Sequence, residues 1–319
     1  MKSTALVVLI LAVLAAGVQL TLAAQSRMTI AVIPKGTTHI FWKSVEAGAR
    51  EAGKDLGVEV IWKGPLKEND RAQQIAIVEQ FVSEGVSGIV LAPLDDAALI
   101  RPVAAAAQKK IPVVIFDSGL KGEAGKDFVS FVATNNRAGG RMAGEYLAKV
   151  LGGKGNIVLL RYMVGSASTT EREEGFLGAI RRSKAMVVTV DNRHAGPTPG
   201  DAKTASMNLV DKLREANGIF CPNESSTFGM LLALRQSNLA GKVRFVGFDT
   251  SPPLVEALRD GEIDALVAQD PVRIGYEGVR VLVDHLKGKK VPAYVDTGVR
   301  VITRESLNSP EIKKLLAIP

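Results

Sequence analysis

Short β-branched runs recur along this chain. Each is closed by a polar loop and followed by residues with apolar positions at helical spacing, and that alternation leaves few folds open. The first such unit runs from Met28 to Gly53. Ile30, Ala31, Val32 and Ile33 have the length and branching of a strand buried on both faces. Pro34 and Gly36 end it, Thr37, Thr38 and His39 make a polar loop, and Phe41, Val45, Gly48 and Ala52 then fall on one helical face. In open α/β sheets small molecules bind beyond the carboxyl ends of the strands, so the loop from Lys35 to Trp42 is the first place to look for a site.

The unit repeats through Val150, stops at Gly152, Gly153, Lys154 and Gly155, and begins again at Asn156. The second half is expected to carry a strand from Met186 to Val190, one helix from Asp201 to Glu215 and another from Gly275 to Lys287. The two halves share a signature. Ile115, Phe116, Asp117, Ser118, Gly119 closes one strand, and Gly247, Phe248, Asp249, Thr250, Ser251 closes its counterpart. The predicted fold class is therefore α/β: two similar Rossmann-like lobes with parallel sheets, joined by a multi-strand hinge that permits closure. Residues 27–134 with 270–297 are assigned to the first lobe, and 135–269 with 298–319 to the second.

Composition narrows the setting. A chain of 319 residues suits two domains. Lys2 followed by an apolar run from Ala5 to Val18 and the small residues Ala23 and Ala24 reads as a cleavable signal over residues 1–24, which predicts export to the periplasm. Cys221 is the only cysteine, so no disulfide is expected, and a small core residue is the simplest role for it. The net charge of +7 is scattered among acidic residues on helix faces, and no basic block with interleaved aromatics points to nucleic acid.

The second half contains ThrGluArgGluGluGlyPhe at 170–176, CysProAsnGlu at 221–224, ValGlyPheAsp at 246–249 and ValAlaGlnAsp at 267–270. With these motifs the mature chain resembles the type I periplasmic sugar-binding proteins of ABC importers, the family that includes ribose-binding protein. The resemblance implies that Arg172, Asn223, Asp249 and Gln269 hydrogen-bond sugar hydroxyls, that Phe41 and Trp42 stack on the sugar ring, and that Asp117 accepts hydroxyl protons. Two positions depart from the ribose-binding pattern, His39 in place of an asparagine and Ser118 in place of an arginine. The first half is also similar to autoinducer-2 and rhamnose receptors, in which a lysine matching Lys35 touches the ligand.

The residue chemistry agrees with such a ligand. Carboxylates accept two hydroxyl protons, a guanidinium donates a planar fork, amides do both, and a flat ring covers a C–H face. Each residue also has a plain structural reading: Asn223 as a helix cap, Asp249 as helix-entry chemistry, Arg172 as a surface pair of Glu171 or Glu173, one of the two aromatics as core. An enzyme is not expected, because no hydrolase, zinc-protease or nucleotide motif occurs. His39 has no second histidine nearby, so neither metal nor cofactor is predicted. The expected partners are a sugar or polyol and an ABC permease, with the protein itself a monomer. The alternative is a receptor for autoinducer-2 or a deoxysugar that feeds a chemoreceptor or sensor.

Overall fold

The structure is a computed structural model that describes residues 28–316, so the predicted signal segment lies outside the described residues. The first half contributes strands β1 (Thr29–Ile33), β2 (Glu59–Trp62), β3 (Gly88–Leu91), β4 (Val113–Phe116) and β5 (Ser130–Ala133). The second contributes β6 (Gly155–Arg161), β7 (Met186–His194), β8 (Gly218–Phe220), β9 (Arg244–Phe248) and β10 (Ala265–Ala268). Two late strands, β11 (Tyr294–Asp296) and β12 (Arg300–Thr303), part company: β11 joins the first sheet and β12 the second. The sheet orders are β11-β5-β4-β3-β1-β2 and β12-β10-β9-β8-β6-β7, the same order built twice. Every pairing is parallel except β10 with β12.

Alternation along the strands divides each core into two. In the first sheet Ile30, Val32, Val90, Val114 and Phe116 pack on one face, and Ala31, Ile33, Ile89, Leu91 and Ile115 on the other. Both faces are covered by helices, which explains why the central strands read as unbroken apolar runs. Cys221, just past β8, lies fully buried in the second-lobe core.

The chain passes between the sheets after β5, after β10 and between β11 and β12. Each of the first two passages ends in a capped helix. Asn135 accepts the N–H of Ala138 to start Asn136–Val150, and Asp270 accepts that of Arg273 to start Pro271–Leu286. In each lobe the arriving helix crosses the lobe's own first helix on paired glycines. A Cβ on Gly48 would stand 1.9 Å from the Val272 carbonyl oxygen, and one on Gly275 2.0 Å from that of Val45. The second lobe repeats the device: a Cβ on Gly140 would stand 1.8 Å from the Arg172 carbonyl oxygen, and one on Gly175 2.1 Å from that of Arg137.

Several elements differ from expectation. The stretch Asp201 to Glu215 is two helices, Pro199–Met207 and Val210–Glu215, because Asn208 closes the first while Ser206 turns its hydroxyl onto the Ala202 carbonyl. β7 runs on to His194, and its extra residues are taken up by shifts in its register with β6. The last long helix begins at Pro271, where a missing N–H costs nothing in the first turn. A short helix, Pro310–Leu316, was not foreseen.

The glycine crossings generate a prediction. In an exposed helix interior Gly→Ala gains about 1 kcal/mol. Gly48→Ala and Gly140→Ala should instead each lose about 1–3 kcal/mol, because the methyl meets backbone that cannot move aside. Midpoints of urea unfolding that rise on either substitution would contradict the packing described here.

Candidate functional site

The carboxyl ends of both sheets face one another across a buried polar cavity. Its walls are Lys35, His39, Phe41, Trp42, Glu68 and Asp117 from the first lobe, and Ser168, Thr169, Arg172, Asn223, Glu224, Asp249 and Gln269 from the second lobe and the passage that follows it. About 310 Å³ of space lies between these walls, part of it open to solvent. The part of it that admits the centre of a water-sized sphere is about 30 Å³. Of the ten residues singled out from sequence, nine line this cavity.

Asp117 and Asp249 occupy equivalent strand ends in the same unusual backbone conformation, with φ of 59° and 71°. Their N–H groups donate to Val132 and Val267, each at 2.9 Å, which holds the left-handed turn in place. That conformation costs a non-glycine residue about 1–2 kcal/mol, least for aspartate and asparagine. The turn carries each side chain off the strand end and into the gap.

The two carboxylates then differ. Asp249 is fully employed, with Oδ1 accepting from Gln269 Nε2 at 2.7 Å and Oδ2 from the Glu224 N–H at 2.8 Å. No described residue donates to the Asp117 carboxylate; burial pushes its pKa up to about 6 against the pull of Lys35 and Arg172. Opposite it, the buried Arg172 guanidinium stacks 3.9 Å from the Phe248 ring centroid and donates to Asn136 Oδ1 at 2.8 Å and the Pro222 carbonyl at 3.0 Å. These partners are neutral. Burial lowers the Arg172 pKa, while Asp249 and Asp117 oppose that through space.

Asn223 caps the helix Glu224–Gln236: its Oδ1 accepts from the Ser226 N–H at 3.3 Å, and its Nδ2 donates to Ser225 Oγ at 3.2 Å. The structural reading of this residue therefore holds alongside its place in the wall. Trp42 is the core-facing member of the aromatic pair, 2% exposed and edge-on to Phe116, whereas Phe41 stays partly exposed and sits edge-to-face on Trp42 at 5.1 Å. Ser118 departs from expectation. It lies outside the cavity wall, behind Asp117, where its Oγ accepts the Ser168 N–H at 3.3 Å and ties the lobes together.

Glu68, in the loop after β2, was missed from sequence, although it obeys the same strand-end rule as the others. Its Oε1 accepts from Trp42 Nε1 at 2.7 Å and lies 2.9 Å from His39 Nδ1. Its Oε2 accepts from Tyr162 of the second lobe at 2.9 Å, with Lys35 Nζ 3.9 Å away. His39 reaches across with Nε2 to the Pro197 carbonyl at 3.0 Å, and Lys35 donates to Ser166 Oγ at 2.9 Å. Together these groups form an interlobe latch. Burial works against both charges of the Glu68–His39 pair, yet their mutual attraction prevails: Glu68 is lowered to about 2 and His39 raised to about 9.

Two α/β lobes of one topology, closing charged strand ends over a buried cavity, define a bilobal small-molecule-binding protein. This chain belongs to the periplasmic binding protein family: residues 30–290 match the family described as "Periplasmic binding protein domain". It is similar to the ribose import binding protein RbsB of Haemophilus influenzae, 32% identical over 291 residues that cover 90% of this chain and 95% of that protein. The D-allose-binding periplasmic protein of Escherichia coli is 29% identical over 280 residues, 86% of this chain and 90% of that one. Among solved structures, a carbohydrate transporter solute-binding protein of Agrobacterium radiobacter in complex with D-arabinose superposes with a TM-score of 0.87 at 34% identity, covering 92% of this chain and 100% of that one. An ABC transporter solute-binding protein of Agrobacterium vitis with bound D-fucose superposes at 0.86, also 34% identical, covering 90% and 99%.

The latch titrates with a definite sign. His39 has a raised folded-state pKa, so its contribution to the closed form is complete below pH 6.5 and is lost as pH rises through about 9. Glu68 is depressed, so its contribution is complete above pH 4.5 and lost as pH falls through about 2. Glu68→Gln should return the His39 imidazole towards its ordinary titration and abolish the alkaline fall in thermal midpoint. NMR titration of a His39 that stays high in this variant would remove Glu68 from the role given to it.

Proposed function

We propose that this protein is an extracytoplasmic, periplasmic solute-binding protein that captures a monosaccharide or related polyol between its lobes and delivers it to an ABC permease. The observation that carries this reading is the unspent pair across the cavity. The Asp117 carboxylate lines the cavity with no donor among the described residues, and it faces a guanidinium whose hydrogen-bond partners are neutral. A polyol hydroxyl answers both at once, giving its proton to the carboxylate and accepting one from the guanidinium. Phe41 and Trp42 supply the apolar side that a pyranose C–H face needs.

Relatives named for ribose and allose, and similar structures solved with D-arabinose and D-fucose bound, support the carbohydrate class, and the import binding proteins among them support an ABC permease as the partner. They do not favour the sensing alternative. The protein is read as a binder and not as an enzyme, in line with relatives that serve transport. Closure brings donors and acceptors from both lobes onto one ligand, and the permease then meets a shape that the open form lacks.

Calorimetric titration with D-ribose, D-allose, D-arabinose and D-fucose is expected to find a ligand, and at 100 times its dissociation constant that ligand should stabilise the fold by about 2.7 kcal/mol. Asp117→Asn should weaken it at least about 10-fold, the worth of one charge-assisted hydrogen bond. Hydroxyl donors favour the carboxylate form, so affinity should also fall as pH drops through about 6, the value at which buried Asp117 titrates. A panel of pentoses, hexoses and polyols that leaves the thermal midpoint unmoved would overturn the proposal.

A further inference from the structure

A second groove lies at the opposite, amino end of the first sheet, where β4 and β5 begin and the helices Ile100–Gln108 and Pro271–Leu286 finish. It encloses about 720 Å³, and pockets that hold small molecules span roughly 300–1,000 Å³. Its floor is apolar, with Pro112, Phe128, Val129 and Leu286, and its exposed rim is basic, with Lys110, Lys126, Lys289 and Lys290. Asp127 is the one carboxylate in the lining, and its Oδ2 already accepts the Glu123 N–H at 2.8 Å. Among the described residues the side chains of Lys110 and Lys290 have no partner, and Lys126 stands 3.9 Å from Glu123 with both exposed. Lys289 alone is held closely, by Asp284 at 2.7 Å.

The duplicated second lobe shows the same place with its charges answered from within. There Arg244 pairs with Asp264 at 2.8 Å, and Tyr146 donates to the Asp264 carbonyl at 3.1 Å. Counted in register from Asp117 and Asp249, Pro112 stands where the second lobe has Arg244; counted from the caps Asn135 and Asp270, Val129 stands where it has Asp264. After β12 the chain lays Arg304 and Glu305 along the second-lobe groove, whereas after β11 it leaves the first lobe. The first-lobe groove therefore has an apolar floor where its counterpart has an ion pair, and two lysines that no acid answers. A lysine near a helix end is ordinarily explained by the helix dipole, but Lys110 needs more than that. It follows the helix Ile100–Gln108 in the left-handed conformation, φ 61°, where glycine or asparagine is at ease, and the equivalent residue after Glu224–Gln236 is Asn238, φ 56°. Strain of this kind collects where a side chain serves a site, and Lys110 lines the groove.

We infer that this groove binds a small amphipathic anion, an acyl carboxylate whose head meets Lys110 and Lys290 and whose chain covers the apolar floor. Neither half of such a ligand suffices alone. Exposed ion pairs are worth little by themselves, so the apolar floor supplies the affinity and the lysines choose the charge. A bounded cavity of this size suits a free molecule better than a flat membrane surface does. The groove lies at the far end of the sheet from the cleft, so a protein that binds no sugar could still bind here.

Decanoate, acetate and decyltrimethylammonium supply both halves, the head alone and the chain with the wrong charge, and calorimetry on the purified protein below the micelle concentration separates them. Decanoate should bind at least about 10-fold tighter than acetate, the worth of about two buried methylenes. It should also exceed the cation, by a margin that added salt erodes. Lys110→Gly should weaken decanoate about 3-fold, the scale of one exposed ion pair, without lowering the thermal midpoint of the free protein, since glycine accepts the left-handed turn. Adding Lys290→Gln should bring the loss to about 10-fold. Equal binding of the three probes, or a decanoate affinity that survives the double variant, would leave these lysines as neighbours of helix ends only and overturn the inference. Retention of the protein on phosphatidylglycerol vesicles with no binding of decanoate would make the face a membrane contact and overturn it as well.

Discussion

Charged side chains can be buried between two lobes only if each finds a partner there, and Glu68 is where most of that condition is met. Its carboxylate sits among His39, Trp42 and Lys35 of its own lobe and Tyr162 of the other, so a group that would be costly alone becomes the shared acceptor of a network. Such a group is worth little as a pair and much as a constraint: taking one partner out of a buried ionic set costs about 3–5 kcal/mol, because the remaining charge is stranded. Closure and the order of the first-lobe wall are for this reason one event. Lys35, His39 and Trp42 take up their positions in the cavity through the same carboxylate that reaches Tyr162.

The second lobe reaches its arrangement by packing. Arg172 lies on the helix Ala167–Ile180 where Gly140 of the arriving helix touches its carbonyl. The close crossing thus fixes the backbone from which the guanidinium extends, and Asn136, on that same arriving helix, holds Nε. Because the arriving helix starts at the passage between lobes, the position of Arg172 is coupled to the hinge. Duplication explains why the first lobe has the matching crossing at Gly48 and Gly275, and why Asp117 and Asp249 share a left-handed turn.

The fold was legible in the sequence because its determinants are local: β-branched runs, the polar loops that end them, and apolar positions at helical spacing. The residues of the wall were legible because the motifs that resemble the sugar-binding family name them, and most of those motifs fall at strand ends, where a doubly wound sheet meets a ligand. What escaped was whatever depends on a partner far along the chain. Glu68 sits in an unremarkable polar loop, and its meaning comes from Tyr162, which lies 94 residues away. Ser118 could not be told from a wall residue until the Ser168 N–H was seen to occupy it. The split of the Asp201 to Glu215 stretch has a local cause, yet apolar periodicity runs through it and conceals the break.

The inequality of the two aspartates bears on how such a clamp avoids closing idly. Asp249 is satisfied within its own lobe and its neighbouring passage, so it is equally content whether the lobes are together or apart. Asp117 is buried with no donor to its carboxylate among the described residues, and burial raises its pKa to about 6. The latch around Glu68 favours the closed form and the burial of Asp117 opposes it; on the function proposed above, a ligand hydroxyl would remove the opposition and leave the latch. A ligand shifts an equilibrium only by its difference in affinity for the two states, and the proposed function concentrates that difference on one carboxylate and the guanidinium opposite. Strengthening the latch would thus not improve the clamp. It would populate the closed form without cargo and erase the distinction on which a permease would rely.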